Sequence, residues 1–160
     1  MAVDDTLFTT YRFDVQLELD NPQQFGLPQT LCDAAFSEVD GLEMSIEPKT
    51  LREGGNNTQQ IHLVGPVSYG NLTLKRGMTS TLDLWKWFSL AAAGQDGQGR
   101  GAKARGLITM RDMAGNTQMY FKLRGCLPIK IKAPPLNASD GLVAVEEMQI
   151  AYSSFTVATP

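Results

Sequence analysis

The sequence predicts a mainly β chain, a small barrel or sandwich that carries one packed α-helix. Three observations lead there: strict period-two alternation near the start, a tight hairpin signal in the second half, and one stretch of helical periodicity between them. In residues 11–19 the apolar Tyr11, Phe13, Val15, Leu17 and Leu19 alternate with Arg12, Asp14, Gln16 and Glu18. That is the pattern of a strand with one buried and one wet face. Asn21-Pro22 ends it, and the chain up to Thr30 has the Pro and Gly punctuation of a loop. A second strand region spans 35–47, where Phe36, Val39, Leu42, Met44 and Ile46 are apolar and Gly41 breaks the alternation as a bulge or bend. Residues 48–60 are polar and include Glu53-Gly54-Gly55-Asn56-Asn57, which tolerates positive φ and cannot bury a face, so this segment should project. Residues 61–64 and 71–76 read as two further strands, separated by Gly65-Pro66 and closed by Gly77.

The helix follows. Ser80 is placed as its N-cap with Asp83 three residues on, and Leu84, Trp87, Phe88 and Ala91 form one apolar stripe. Trp87 belongs to the core on this spacing, Trp85 to the core or an interface, and Gly94 ends the helix as a left-handed cap. Residues 94–106, rich in glycine and carrying Arg100, Lys103 and Arg105, read as a mobile basic loop. The apolar runs 107–113 and 117–124 flank Ala114-Gly115-Asn116, a hairpin signal. Ile129 and Ile131 alternate with Lys130 and Lys132, Pro134-Pro135 breaks the chain, and 142–157 closes with a long strand-like stretch. The sum is about seven or eight strands and one helix with short connections.

Composition bounds the function. At 160 residues, residues 1–160 are expected to form a single domain. Hydrophobic residues at 42% are enough for a core, and a net charge of −3 argues against a nucleic-acid binder that works by neutralising phosphates. Cys32 and Cys126 have no metal or redox spacing and suit a reducing compartment as small buried side chains. The acidic start, Met1-Ala2-Val3-Asp4-Asp5, is unlike a secretory leader, and no apolar stretch nears the ~20 residues that span a bilayer, so membrane insertion by the single chain is not expected. The N-x-[ST] matches at Asn56, Asn71 and Asn137 are read as turn residues.

Reaction chemistry finds little support. His62 is the lone histidine and sits in a strand, which leaves a zinc site short of ligands and, with no G-x-S-x-G elbow, disfavours a hydrolase. Gly97-Gln98-Gly99-Arg100-Gly101-Ala102 matches a dinucleotide string but follows a helix instead of a strand, and no P-loop occurs. Adjacent Glu146 and Glu147 point to opposite faces of a strand, so they cannot flank one bond; one is expected to be solvated and the other paired with a basic neighbour. The expectation is a non-enzyme with no cofactor and no metal. A small β domain does leave sheet edges, and joining copies is one way to satisfy them; head-to-tail joining closes into rings.

Six segments resemble, in order, the tail tube proteins of contractile phage tails and the inner tube proteins of contractile injection systems. Phe13-Asp14-Val15 is similar to the family's first strand, Phe36-Ser37-Glu38-Val39-Asp40-Gly41-Leu42 to its F-x-E-V-x-G-L segment, and Glu53-Gly54-Gly55-Asn56 to its projecting loop. Tyr69-Gly70-Asn71-Leu72-Thr73-Leu74-Lys75-Arg76-Gly77 resembles Y-x-N-L-T-L-K-R-G and is followed by the Trp85 helix. Gly125-Cys126-Leu127-Pro128-Ile129-Lys130 resembles G-x-x-P-x-K, with Cys126 a departure, and residues 145–152 resemble the closing strand.

The resemblance implies a hexameric ring whose strands complete a larger barrel around a lumen, with rings stacked into a tube inside a sheath. Gly41, Leu72, Leu74, Arg76, Gly77, Trp85 and Pro128 become structural motif residues. Implied partners are further copies of the chain, a sheath protein, baseplate and tube-cap proteins, and a lumen cargo: effector protein, tape measure or DNA. The implied location is a phage tail or injection particle, made without a signal peptide. Residues 11–19 and 118–124 supply candidate strands with one polar face toward the lumen. Leu51, Arg52, Glu53, Gly54, Gly55 and Asn56 are the candidate contact with a neighbouring subunit or ring, Leu51 being an apolar anchor among charges. A tube-initiating or baseplate-proximal ring paralogue, a type VI secretion ring protein and a monomeric β-barrel binding module stay open as alternatives.

Overall fold

The computed structural model describes residues 12–21, 30–52, 54–55, 58–78, 80–94, 102–139 and 141–160, with backbone alone for 31–35. Its strands are β1 (Arg12–Leu19), β2 (Thr30–Ala35), β3 (Glu38–Asp40), β4 (Met44–Ile46), β5 (Lys49–Leu51), β6 (Ile61–Leu63), β7 (Val67–Tyr69), β8 (Asn71–Gly77), β9 (Ala104–Arg111), β10 (Thr117–Lys132), β11 (Val145–Ala151) and β12 (Ser154–Ala158), with one helix, α1 (Asp83–Ala93). The mainly β class with one helix is as expected. The strands outnumber the expectation because two predicted strands are divided and β2, β5 and β7 are added, although the stretches 117–124 and 129–132 are joined in β10. Residues 35–47 split at Gly41 into β3 and β4, residues 61–76 hold β7 between β6 and β8, and the closing stretch breaks at Tyr152-Ser153 into β11 and β12. Strand β2 begins at Thr30, where the loop was expected to end, and reaches Ala35, where a strand region was expected to start, and β5 lies in the segment expected to project.

The main sheet runs β2-β1-β9-β10-β11-β8-β3, with β12 also paired to β10. At 16 residues, β10 is long enough to belong to two halves. Its first part lies between β9 and β12, and its second part pairs with β11. The change occurs at Gly125, φ +65°, where a Cβ would stand 2.2 Å from Ser153 Oγ, so only glycine fits. There the Ser153 N–H donates to Arg124 O at 2.9 Å and holds the corner between β11 and β12. The strand order has ends, so the sheet is open, and among the described residues the outer edges of β2, β3 and β12 carry no further strand.

Alternation sets the core. Val15, Leu17 and Leu19 of β1, Leu72 and Leu74 of β8, Met148 and Ile150 of β11, and Leu123 and Cys126 of β10 all turn inward, covered by Leu84 and Trp87 of α1. The expected core cysteine and core tryptophan are therefore found, with the Trp87 indole N–H donating to Ala102 O at 2.6 Å. The side chain of Cys32 lies outside the description.

Three local expectations are corrected. The N-cap of α1 is Leu82, not Ser80, and no side chain caps it. Asp83 instead accepts the Leu84 N–H at 2.9 Å and an ion pair from Arg76, so its charge serves the first turn directly. Gly94 does end the helix in the left-handed conformation, φ 57°. The basic stretch 94–106 is only partly a loop: β9 begins at Ala104, both Ala102 and Ala104 are buried, and Arg105 is a strand residue paired with Glu18. Residues 95–101, with Arg100 and the dinucleotide-like string, fall outside the described residues. Finally, Asn71 opens β8 and is no turn residue, whereas Asn137 accepts Ser139 N–H and Oγ–H in the expected local turn.

Candidate functional site

Three surfaces remain once the core is assigned. The first is the face of the sheet opposite the core. Register places Gln16 of β1 beside Leu107 of β9, and Leu107 beside Lys122 of β10, which faces Thr156 of β12. One row on, Glu18 lies beside Arg105, their side chains 3.1 Å apart, and Asp14 lies within 2.7 Å of Arg111. Thus the two strands singled out for a polar face, 11–19 and 118–124, flank β9 and do present one common polar surface, described from Arg12 onward. A depression of about 420 Å³ on it is lined by Gln16, Glu18, Asp20, Arg105, Lys122 and Arg124. Cations and anions interleave there around Leu107, so the depression is rimmed by charges of both signs.

The second surface is the pair of open edges, β2 and β12, that end the half of the sheet built on β1, β9 and the first part of β10. Unpaired backbone N–H and C=O groups along such edges are ready to extend the ladder. The third is an arm, residues 43–70. Its strands pair only within itself, β4 with β7 and β5 with β6. Met44 faces Tyr69 and Ile46 faces Val67, giving β4–β7 an exposed apolar face, while Leu51 faces Ile61 and Lys49 faces Leu63 further out. Contiguous exposed apolar side chains mark contact surfaces. Of the residues assigned to this contact, Leu51 is half exposed, Arg52 is exposed, and Gly54 and Gly55 form a turn with Gly55 at φ +95°. Glu53 and Asn56 lie outside the described residues. Met44, Ile46 and Val67 were not among the candidates; their alternation with Ser45 and Ser68 was legible, but its direction was not.

The motif residues lie in the body and at the point where the arm leaves it. Gly41, φ +99°, turns the chain from β3 into the arm, where a Cβ would meet Asn71 O at 1.9 Å. Leu72, Leu74 and Arg76 share the buried face of β8, and register sets Arg76 opposite Glu146. Arg76 Nε is 2.5 Å from Glu146 Oε1, and Glu146 Oε2 accepts the Trp85 indole N–H at 2.8 Å. The expected division of the adjacent glutamates is thereby found: Glu146 is buried and ion-paired, while Glu147 lies on the other face opposite Lys75. Gly77 ends β8 opposite Val145. Pro128 faces Ile150, and the ladder slips just after it, as a residue lacking an N–H requires. His62 is exposed opposite Thr50. Burial pushes the Cys126 thiol up to about 12, so it stays protonated and inert. Among the described residues no helix is long and apolar enough to cross a membrane.

Comparison with known proteins places this geometry. The fold is similar to a chain of the six-fold symmetrised anti-feeding prophage baseplate, with a TM-score of 0.78, 22% identity and 97% of each chain covered. It is similar to a chain of the sheath–tube complex of the PVC extracellular contractile injection system in its extended state, at 0.76 and 19%, covering 98% of this chain and 95% of that one. More distantly it is similar to Hcp1 from Flavobacterium johnsoniae, at 0.55 and 11%, covering 92% and 96%. No curated protein matches the chain. Residues 9–156 match the family of the T4-like virus tail tube protein gp19, and the chain belongs to that family.

Proposed function

We propose that this chain builds the inner tube of a contractile injection system or contractile phage tail. Copies join through the edges of β2 and β12, completing a larger barrel in a hexameric ring, and rings stack into a tube. The observation that carries this reading is the open sheet whose polar face backs onto the core. Joined at its edges, such a sheet gives a continuous wall with a hydrated inner surface, along which cargo slides without adhering. Residues 1–160 act as one tube-protein domain, and Leu51 to Asn56 at the arm's end contact the neighbouring subunit or ring. Gly41, Leu72, Leu74, Arg76, Gly77, Trp85 and Pro128 keep the body in the shape that the ring requires. The work is structural and not catalytic. Partners are further copies, a sheath protein, baseplate and cap proteins, and a lumen cargo: effector protein, tape measure or DNA. Relatives of similar fold come from a baseplate, a tube-terminating cap and a sheath–tube complex, which supports these partner classes.

Electron microscopy of the purified protein tests the reading. Hollow tubes with six-fold end views are expected. Single rings that never stack favour the tube-initiating paralogue, and a monomer at every concentration overturns edge-to-edge assembly.

A further inference from the structure

The root of the arm is fastened by a residue of the closing corner. Tyr152 sits between β11 and β12, buried, and its hydroxyl meets the backbone just where the chain leaves β3 for the arm. It donates to Gly41 O at 2.7 Å, with Glu43 O at 3.0 Å as a second acceptor, and accepts the Glu43 N–H at 3.1 Å. Its ring packs at 5.7 Å on Tyr69, the last residue of the arm's returning strand, and at 5.7 Å on Phe155 of β12. One side chain therefore grips both strands of the arm and ties them to the edge strand β12. Gly41 and Gly70 bracket the root, and the Gly70 N–H donates to Glu43 O at 3.2 Å across it.

We propose that Tyr152 is the positioning residue that aims the arm, its hydroxyl fixing the angle at which 43–70 leaves the body. This rests on the reading of the arm as a contact between copies. Because Tyr152 also packs on Phe155, the arm's direction is set from the same corner that presents the β12 edge, so the two contact surfaces keep one mutual geometry.

Tyr152→Phe tests this, since it keeps the ring and its packing while removing the hydroxyl. Spin labels carried by unnatural amino acids at Thr50 in the arm and Ser89 on α1 report the arm's angle in protein diluted below its assembly threshold. With Tyr152→Phe the distance distribution should broaden and the threshold concentration for tubes rise about tenfold, the size expected from orphaning a part-buried backbone group. Amide exchange in β8 and β11 should stay as in the parent. Leu51→Asp is the control, abolishing tubes with an unchanged distance distribution. A narrow distribution and parental threshold in Tyr152→Phe overturn the aiming role, as does faster exchange throughout β8 and β11, which would make the hydroxyl a support of the whole sheet. Tubes from Leu51→Asp at parental threshold overturn the arm as a contact, and the aiming role with it.

Discussion

Strand β8 and strand β4 carry the same sequence pattern and meet opposite fates. In β8, Leu72 and Leu74 alternate with Thr73, and both leucines are 1% exposed against Met148 and Ile150 of β11. In β4, Met44 and Ile46 alternate with Ser45, yet they are 53% and 51% exposed. Alternation makes a strand two-faced, but it does not say what covers the apolar face. In the body that cover is the chain itself; in the arm it is the surface that the proposed assembly supplies. The contrast accounts for the exposed Met44, Ile46, Leu51, Leu63, Val64 and Val67 of the arm.

The largest effect should come from the buried ion cluster of Arg76, Asp83 and Glu146. Glu146→Ala removes a buried carboxylate paired with Arg76 and takes the acceptor from the Trp85 indole, and it should cost about 3 kcal/mol in urea unfolding of the dissociated protein. A cost near zero would mean that the cluster is no more protected than the arm. Next comes a matched pair: Leu74→Ala should cost about 2–5 kcal/mol, and Ile46→Ala about 0.5 kcal/mol or less, by the same measurement. Equal costs would erase the contrast between buried and exposed alternation.

A smaller effect follows from Cys126. Its thiol rises from an ordinary value near 9.0 to about 12 because burial disfavours the thiolate, with Asp20 adding to the rise. The folded state thus favours the protonated form. The associated stability is complete below pH ~9 and declines as pH rises toward 12. Between pH 8 and 10 the protein should lose about 1 kcal/mol relative to Cys126→Ala, which lacks this thiol. Parallel stability curves for the two proteins would overturn that assignment. The smallest effect on stability, and the largest on assembly, belongs to the arm: Leu51→Asp, or removal of 53–57, should leave unfolding within about 0.5 kcal/mol of the parent while electron microscopy shows no tubes. Tubes of normal length from either variant would remove the arm from the contact.

Legibility followed the range of the interactions. Strand β1, the hairpin at Gly115, the helix end at Gly94 and the pairing of one of the two adjacent glutamates depend on periodicity and local backbone chemistry, and they could be read directly. The division of 35–47 was visible as a glycine, but not the reason for it, which is that Asn71 O lies where a side chain would be. Strand β2 escaped because it is held by its register with β1, which no local spacing shows, and β9 began earlier than expected because Ala104 pairs with Leu19. The helix start was misplaced because Asp83 is engaged by Arg76, a residue on a neighbouring strand.

The sequence by itself determined which faces are apolar, where the chain must turn and that no common catalytic constellation is spelled out, since these follow from residue types at fixed short spacings. Only the tertiary structure decided that 12–19 and 118–124 flank one strand and share a polar wall, that the sheet stays open at β2 and β12, and that Tyr152 reaches the root of the arm. Those outcomes depend on register between segments far apart in the chain, and register is fixed by the packing of the whole core, which no local spacing encodes.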